Sequence, residues 1–205
     1  MSTSADLGPR FRDALHYSAV IHYDQSRKGG DVPYVGHLLG VAAIVIEEGG
    51  SEDEVIAALL HDVLEDQSAR EKGLPIKELF GPEVYGLVVE CSDLDEDQKR
   101  SGTSAERKAA YIKRIPHKSP GALLISLADK LYNARSILLD LHRPGADPDD
   151  VFSRFHVGKA GTLQYYDDLL AAFEQTSLAR NHARLVNEFA DTVRRIHEAS
   201  GPQTP

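Results

Sequence analysis

The sequence predicts an all-α fold in a single domain, and three observations carry that expectation. Apolar residues recur at helical spacing through most of the 205 residues. The period-two alternation of Val, Ile and Thr that marks strands is essentially missing, and the breaks in the helical pattern fall at Gly and Pro. The length suits one compact domain with a real core, with no internal repeat and no linker rich enough to split it.

Taken in order, Phe11 to Tyr23 reads as a first helix, stopped before Gly29-Gly30-Asp31-Val32-Pro33. Tyr34 to Glu48 resumes the pattern and ends at Gly49-Gly50. Ser51 with Glu54 three residues on is a capping-box start for a helix running through Leu60 to about Asp66. Leu74 through Phe80 is a short helix before a Gly81-Pro82 turn, and Glu83 to Cys91 begins another. Asp93 to Arg107 is polar and reads as a surface loop, followed by a short helical piece from Ala109 to Ile115. Ala122 to Leu141 is a strongly apolar helix, and Asp149 to Glu174 and Leu178 to Ala199 supply the last ones. Gly201 to Pro205 reads as a loose tail.

Composition narrows the function. Hydrophobic residues make up 41%, charged residues 27% and aromatics 7%, within the globular range. The net charge is −9 without any run of Lys or Arg, which argues against polymeric nucleic acid as a partner. A small anionic substrate is compatible, because a bound cation and a few basic side chains invert the field inside one cleft. Cys91 is the one cysteine, so no internal disulfide forms and a reducing compartment is expected; its apolar neighbours make it a small buried hydrophobe. The N-terminus lacks the basic and apolar regions of a signal peptide, and no apolar run approaches the ~20 residues of a membrane span. The expectation is a soluble cytoplasmic protein; the oligomeric state stays open.

The chemistry concentrates in Ala57-Ala58-Leu59-Leu60-His61-Asp62-Val63-Leu64-Glu65-Asp66. On one continuous helix, His61 with Glu65 and Asp62 with Asp66 are i,i+4 pairs on adjoining stripes. Three carboxylates crowded there repel one another unless a cation or a proton sits among them. Elsewhere, His37 stands in an apolar helix, and Asp129 stands in Leu123-Leu124-Ile125-Ser126-Leu127-Ala128-Asp129-Lys130-Leu131. A carboxylate among such neighbours needs a partner, since burying an unpaired charge costs several kcal/mol. Lys130 is one candidate partner. A shared metal ion would explain His37, His61, Asp62 and Asp129 together, and two imidazoles with two carboxylates suit Mn²⁺, Fe²⁺ or Zn²⁺ with positions left for water and substrate.

The order His37, His61-Asp62, Asp129 resembles the H…HD…D signature of the HD phosphohydrolase superfamily. Its finer pattern is narrower. His61-Asp62-Val63-Leu64-Glu65-Asp66 is similar to the HDxxED element of the Rel/SpoT hydrolase domain and of stand-alone small alarmone hydrolases. His22-Tyr23-Asp24-Gln25-Ser26-Arg27-Lys28-Gly29-Gly30, followed by Pro33-Tyr34 and His37, resembles that family's HxxQxRKSGxPYxxH segment. Leu127 to Arg135 resembles its LADKLxNxR segment. The similarity runs from about residue 11 to about 140.

The resemblance implies an HD-type helical bundle with His37, His61, Asp62 and Asp129 as metal ligands, usually of Mn²⁺. It assigns Glu65 and Asp66 to positioning or activating the attacking water, Arg27 and Lys28 to the bound nucleotide, and Asn133 to the pocket lining. The family removes pyrophosphate from the 3′ position of guanosine tetra- and pentaphosphate. Two departures, a loop one residue longer at Gly29 to Pro33 and Leu38 in place of a proline, leave guanine against adenine open.

Tyr34 either stacks on a base or packs the helix start, and Arg135 either balances phosphate charge or forms a surface salt bridge. Beyond the resemblance, Lys159 or Tyr165 could face phosphate or base, against a plain packing stripe of Leu163, Tyr166 and Leu170. The leading expectation is an alarmone hydrolase of a small nucleotide substrate. Alternatives are a phosphatase on NADPH or a nucleoside monophosphate, and a metal-containing nucleotide sensor without turnover.

Overall fold

A computed structural model of the chain describes residues 6–28, 30–64, 75–92 and 103–201. Among them it forms eleven α-helices, one short 3₁₀ turn and an isolated bridge between Ser26 and Pro33, so the all-α expectation holds. None of the described helices is long and apolar enough to cross a membrane. The contacts group the chain into two compact units: residues 1–95 with 118–128, and 96–117 with 129–205.

The first unit holds α1 (Pro9–Ile21), α2 (Val35–Glu47), α3 (Glu52–Leu60), α4 (Ile76–Phe80) and α5 (Pro82–Cys91). The opening turns of α7 (Pro120–Leu141) belong to it as far as Ala128. Helix α3 is its centre and packs against α1, α2 and α5. Six consecutive residues, Val55 to Leu60, are fully buried. A helix apolar all round is stable only when neighbours cover every side, and each buried Leu or Ile contributes about 1.5–3 kcal/mol. Two devices aim it. Ser51 and Glu54 form the expected capping box, with Glu54 N–H donating to Ser51 Oγ at 3.3 Å and Ser51 N–H to Glu54 Oε2 at 2.7 Å. Before it, Gly49 takes φ 77°, and a Cβ on Gly50 would meet Val45 Cγ1 at 2.5 Å and the Val45 carbonyl at 3.0 Å. The glycine pair therefore lets α3 fold back tightly after α2.

The second unit holds α6 (Ser104–Arg114), the 3₁₀ turn Ile115–His117, the rest of α7, α8 (Pro148–Ser153), α9 (Gly158–Glu174), α10 (Leu178–Asn181) and α11 (Ala183–Ala199). Helix α9 packs on α6, α8, α10 and α11. Phe189 of α11 meets Tyr166 and Phe173 of α9 with ring centres 6.1 and 6.2 Å apart. Aromatic pairs at such distances add a fraction of a kcal/mol to about 1.5 kcal/mol beyond their buried area.

Several boundaries differ from expectation. Helix α6 begins at Ser104, inside the stretch read as a loop, because Thr103 and Glu106 form a second capping box; residues 93–102 lie outside the described part. The span read as one helix from Asp149 to Glu174 is two, α8 and α9, separated by residues 154–157, and Gly158 adopts φ 63°. The last span also divides, at His182, whose φ −133° and ψ 46° leave the helical region. Cys91 is half-buried rather than buried, its Sγ 3.8 Å from the Ala122 carbonyl. Of the expected tail only Gly201 is described.

Ser51→Ala removes the α3 cap and should lower the unfolding free energy by about 1 kcal/mol. Gly50→Ala should cost about 1–3 kcal/mol by overpacking against Val45. Urea titrations with unchanged slope and shifted midpoints check both values.

Candidate active site

In the first unit, a short ribbon leads into the site. After α1 ends, Arg27 N–H donates to the Val32 carbonyl at 2.9 Å and Tyr34 N–H to the Gln25 carbonyl at 2.8 Å. This pairs the two arms around Ser26 and Pro33 and delivers Tyr34 to the start of α2. His37 follows in the first turn of α2 and is 2% exposed. His61 directly follows α3 and is 4% exposed.

The regular hydrogen bonding of α3 stops at Leu60, and residues 61–64 form a turn. His61 Nδ1 lies 2.8 Å from the Ala58 carbonyl, and Val63 N–H closes on the Leu60 carbonyl at 3.0 Å. The side chain thus occupies a carbonyl of the last turn, which tightens the end of the helix. The helix expected to continue to about Asp66 therefore ends earlier. Glu65 and Asp66, and with them the expected i,i+4 pairs, lie outside the described residues.

Three groups meet at one oxygen. The Tyr34 hydroxyl donates a short hydrogen bond to Asp62 Oδ2, while His61 Nε2 stands 3.1 Å and His37 Nε2 3.5 Å from that same atom. The rings form a continuous file: His22 to Tyr34 at 5.3 Å, Tyr34 to His37 at 5.4 Å and His37 to His61 at 5.2 Å between centres. With its Nδ1–H directed at the Ala58 carbonyl, a neutral His61 ring turns a lone pair on Nε2 toward the carboxylate. Such a lone pair and a carboxylate oxygen repel. A proton relieves one nitrogen at a time, whereas a divalent cation satisfies all three donors at once, so the donor set fits a metal ion. Burial pushes the Asp62 carboxyl up, but when the facing rings are protonated, the charge and hydrogen bonding of His61 and His37 outweigh it and hold the group well below the usual carboxylate range.

The structure also places the residues expected to contact the nucleotide. The Arg27 guanidinium lies 5.9 Å from the centre of the Tyr34 ring, within cation–π range, and Lys28 is exposed. Tyr34 is tied to Asp62 through its hydroxyl, and its ring packs against His22 and His37.

In the second unit, Asp129 is 8% exposed on α7 and receives Lys130 Nζ at 2.7 Å and Asn133 Nδ2 at 2.5 Å. Lys130 is thus a partner of Asp129, and its Nζ also sits 4.4 Å from the Tyr111 ring centre. Arg135 is ion-paired to Glu188, the contact that its salt-bridge reading expects. The reason is helical geometry: six residues at 100° each put Arg135 about 240° around the axis from Asp129, whereas Asn133, four residues on, stays within about 40°. Lys159 donates to the Ser200 carbonyl and Tyr165 lies under Lys108 Nζ at 3.8 Å. Leu163 and Tyr166 are buried and Leu170 is half-buried, as a packing stripe requires.

Sequence reasoning gave His22 and Gln25 no role. His22 is 2% exposed, its Nδ1 is 2.5 Å from Gln25 Oε1, and its ring backs Tyr34. The available signal was its place one residue after Ile21, which with Ala14, Tyr17 and Ser18 makes the buried face of α1.

Comparison with known proteins identifies the family. The sequence model of the HD domain family matches residues 14–155. The chain is 39% identical over 128 residues to the human guanosine-3′,5′-bis(diphosphate) 3′-pyrophosphohydrolase, covering 61% of this chain and 68% of that one. The Drosophila melanogaster protein of the same name is 40% identical over 131 residues, 62% of this chain and 69% of its own. A solved structure of a metazoan ortholog of SpoT, described as hydrolysing ppGpp, superposes with a TM-score of 0.71 at 30% identity, over 92% of this chain and 96% of that one. The chain belongs to the HD domain family.

Proposed function

We propose that this chain is a metal-dependent hydrolase that removes the 3′-pyrophosphate from an alarmone nucleotide, guanosine tetra- or pentaphosphate or the adenosine counterpart. The observation that carries this reading is the convergence of His37 Nε2, His61 Nε2 and the Tyr34 hydroxyl on Asp62 Oδ2, in a chain whose relatives are named 3′-pyrophosphohydrolases. We assign Asp129 as the fourth ligand, beside His37, His61 and Asp62, by the family resemblance of its LADKL segment. Mn²⁺ is the ion proposed, by family resemblance. When bound, such an ion supplies Lewis acidity to a phosphoryl oxygen and lowers the pKa of a bound water.

The remaining work belongs to side chains. Glu65 or Asp66 takes a proton from the water as its oxygen bonds to the phosphorus attached to the nucleotide 3′ oxygen. That O3′–P bond breaks, pyrophosphate leaves, and the 3′ oxygen ends as a hydroxyl after protonation. Arg27 and Lys28 balance phosphate charge through charge-assisted hydrogen bonds. Asn133 orients Asp129, so it acts on the ligand as well as lining the nucleotide site. A small nucleotide in the cytoplasm completes the reading, in keeping with the net charge of −9.

Adding Mn²⁺ to metal-free protein at a hundredfold excess over its Kd should stabilise the fold by about 2.7 kcal/mol. Calorimetry should show this gain for the wild type and its loss in Asp62→Ala; an Asp62→Ala protein that is stabilised as strongly refutes the ligand assignment. Ion-exchange analysis of guanosine and adenosine 3′-pyrophosphate nucleotides incubated with the Mn²⁺-loaded protein should show pyrophosphate release. Glu65→Gln should lower kcat by roughly a hundredfold or more with little change in KM. No release from either nucleotide would overturn the alarmone reading.

A further inference from the structure

Tyr34 has contacts that neither the metal site nor the nucleotide contacts, taken separately, require. Its hydroxyl donates to Asp62 Oδ2, the oxygen that faces both His37 and His61. Its ring is backed by His22 on one side and lies 5.9 Å from the Arg27 guanidinium. The ribbon places Arg27 and Tyr34 on its two arms, through the Arg27 to Val32 and Tyr34 to Gln25 hydrogen bonds. One side chain therefore touches a metal-ligand candidate with its polar end and a nucleotide-binding candidate with its face.

Each end has a definite physical effect. A carboxylate turns about a broad, weakly preferred torsion, so a ligand carboxylate needs an external donor to hold it. A phenol remains protonated far above neutral pH and donates without competing for the metal. The ring face attracts a guanidinium and limits the positions it samples, so Arg27 loses less freedom on meeting a phosphate.

We propose that Tyr34 is a positioning residue with two separable tasks: its hydroxyl orients Asp62 toward the metal, and its ring holds Arg27 for the nucleotide. The second task rests on the nucleotide reading above; the first needs only the metal. A merely structural tyrosine would lose neither metal affinity nor KM selectively when one end is removed.

Two variants divide the tasks. Tyr34→Phe keeps the ring and loses the hydroxyl. It should weaken Mn²⁺ binding by about tenfold, read from the free-ion EPR signal, with the melting temperature of the metal-free protein unchanged and KM at saturating Mn²⁺ unchanged. Tyr34→Leu should show the same metal loss and raise KM roughly twofold to fivefold. Arg27→Leu should raise KM further, because it removes the phosphate contact itself, and adding Tyr34→Leu to it should change KM no more, as expected when the ring acts only through Arg27.

Wild-type Mn²⁺ affinity in Tyr34→Phe would overturn the hydroxyl's task. Equal KM values for the Phe and Leu variants would overturn the ring's task. A wild type that binds Mn²⁺ but hydrolyses neither alarmone refutes the substrate reading and leaves the EPR comparison to decide the hydroxyl; one that binds no Mn²⁺ overturns the hydroxyl's task.

Discussion

Two imidazole nitrogens held 3.1 and 3.5 Å from one carboxylate oxygen need a proton or a cation among them, and the first unit is organised around that point. The histidines come from different helices, so their approach depends on how α2 and α3 pack. The glycine pair and capping box between those helices set where α3 starts, and the six buried residues leading to His61 leave it little freedom to rotate or slide. The ribbon after α1 then fixes where α2 begins, which places Tyr34 and His37 against the same oxygen. Burying such a cluster is costly without a compensating charge, so a rigid surround is what keeps it assembled.

Tyr34 links this cluster to the basic residues. Its position at the start of α2, next to Pro33, puts the phenol and the His37 imidazole in contact, and the file of rings from His22 to His61 leaves few ways for any of them to turn. Asp129 has an analogous arrangement in its own unit. Lys130 and Asn133 hold the carboxylate from two sides, and each oxygen has a named donor. Such donors fix the orientation of a carboxylate.

Much of the fold was legible because its signals are local. Apolar periodicity found the helices, and Ser51 with Glu54 marked the start of α3 correctly. The equivalent pair Thr103 and Glu106 stands among polar residues, whose composition suggests a loop although half-exposed helices are polar on one side. The breaks near Gly158 and His182 leave no mark in the pattern, because apolar residues on both sides keep the period while the interruption lies in backbone dihedrals.

The candidate donors, His37, His61, Asp62 and Asp129, and their order are readable from the sequence alone, as are the all-α class and the resemblance carried by three ordered motifs. These are properties of residue type and spacing, which a chain carries before it folds. Only the tertiary structure decided which atoms meet: that the Tyr34 hydroxyl takes Asp62, that Arg135 takes Glu188, and that His22 backs the ring file. Those choices depend on helix rotation and on packing between segments far apart in sequence. A difference of two residues along one helix turned Asn133 toward Asp129 and Arg135 away from it, because side-chain direction follows a 3.6-residue period that a motif string does not display.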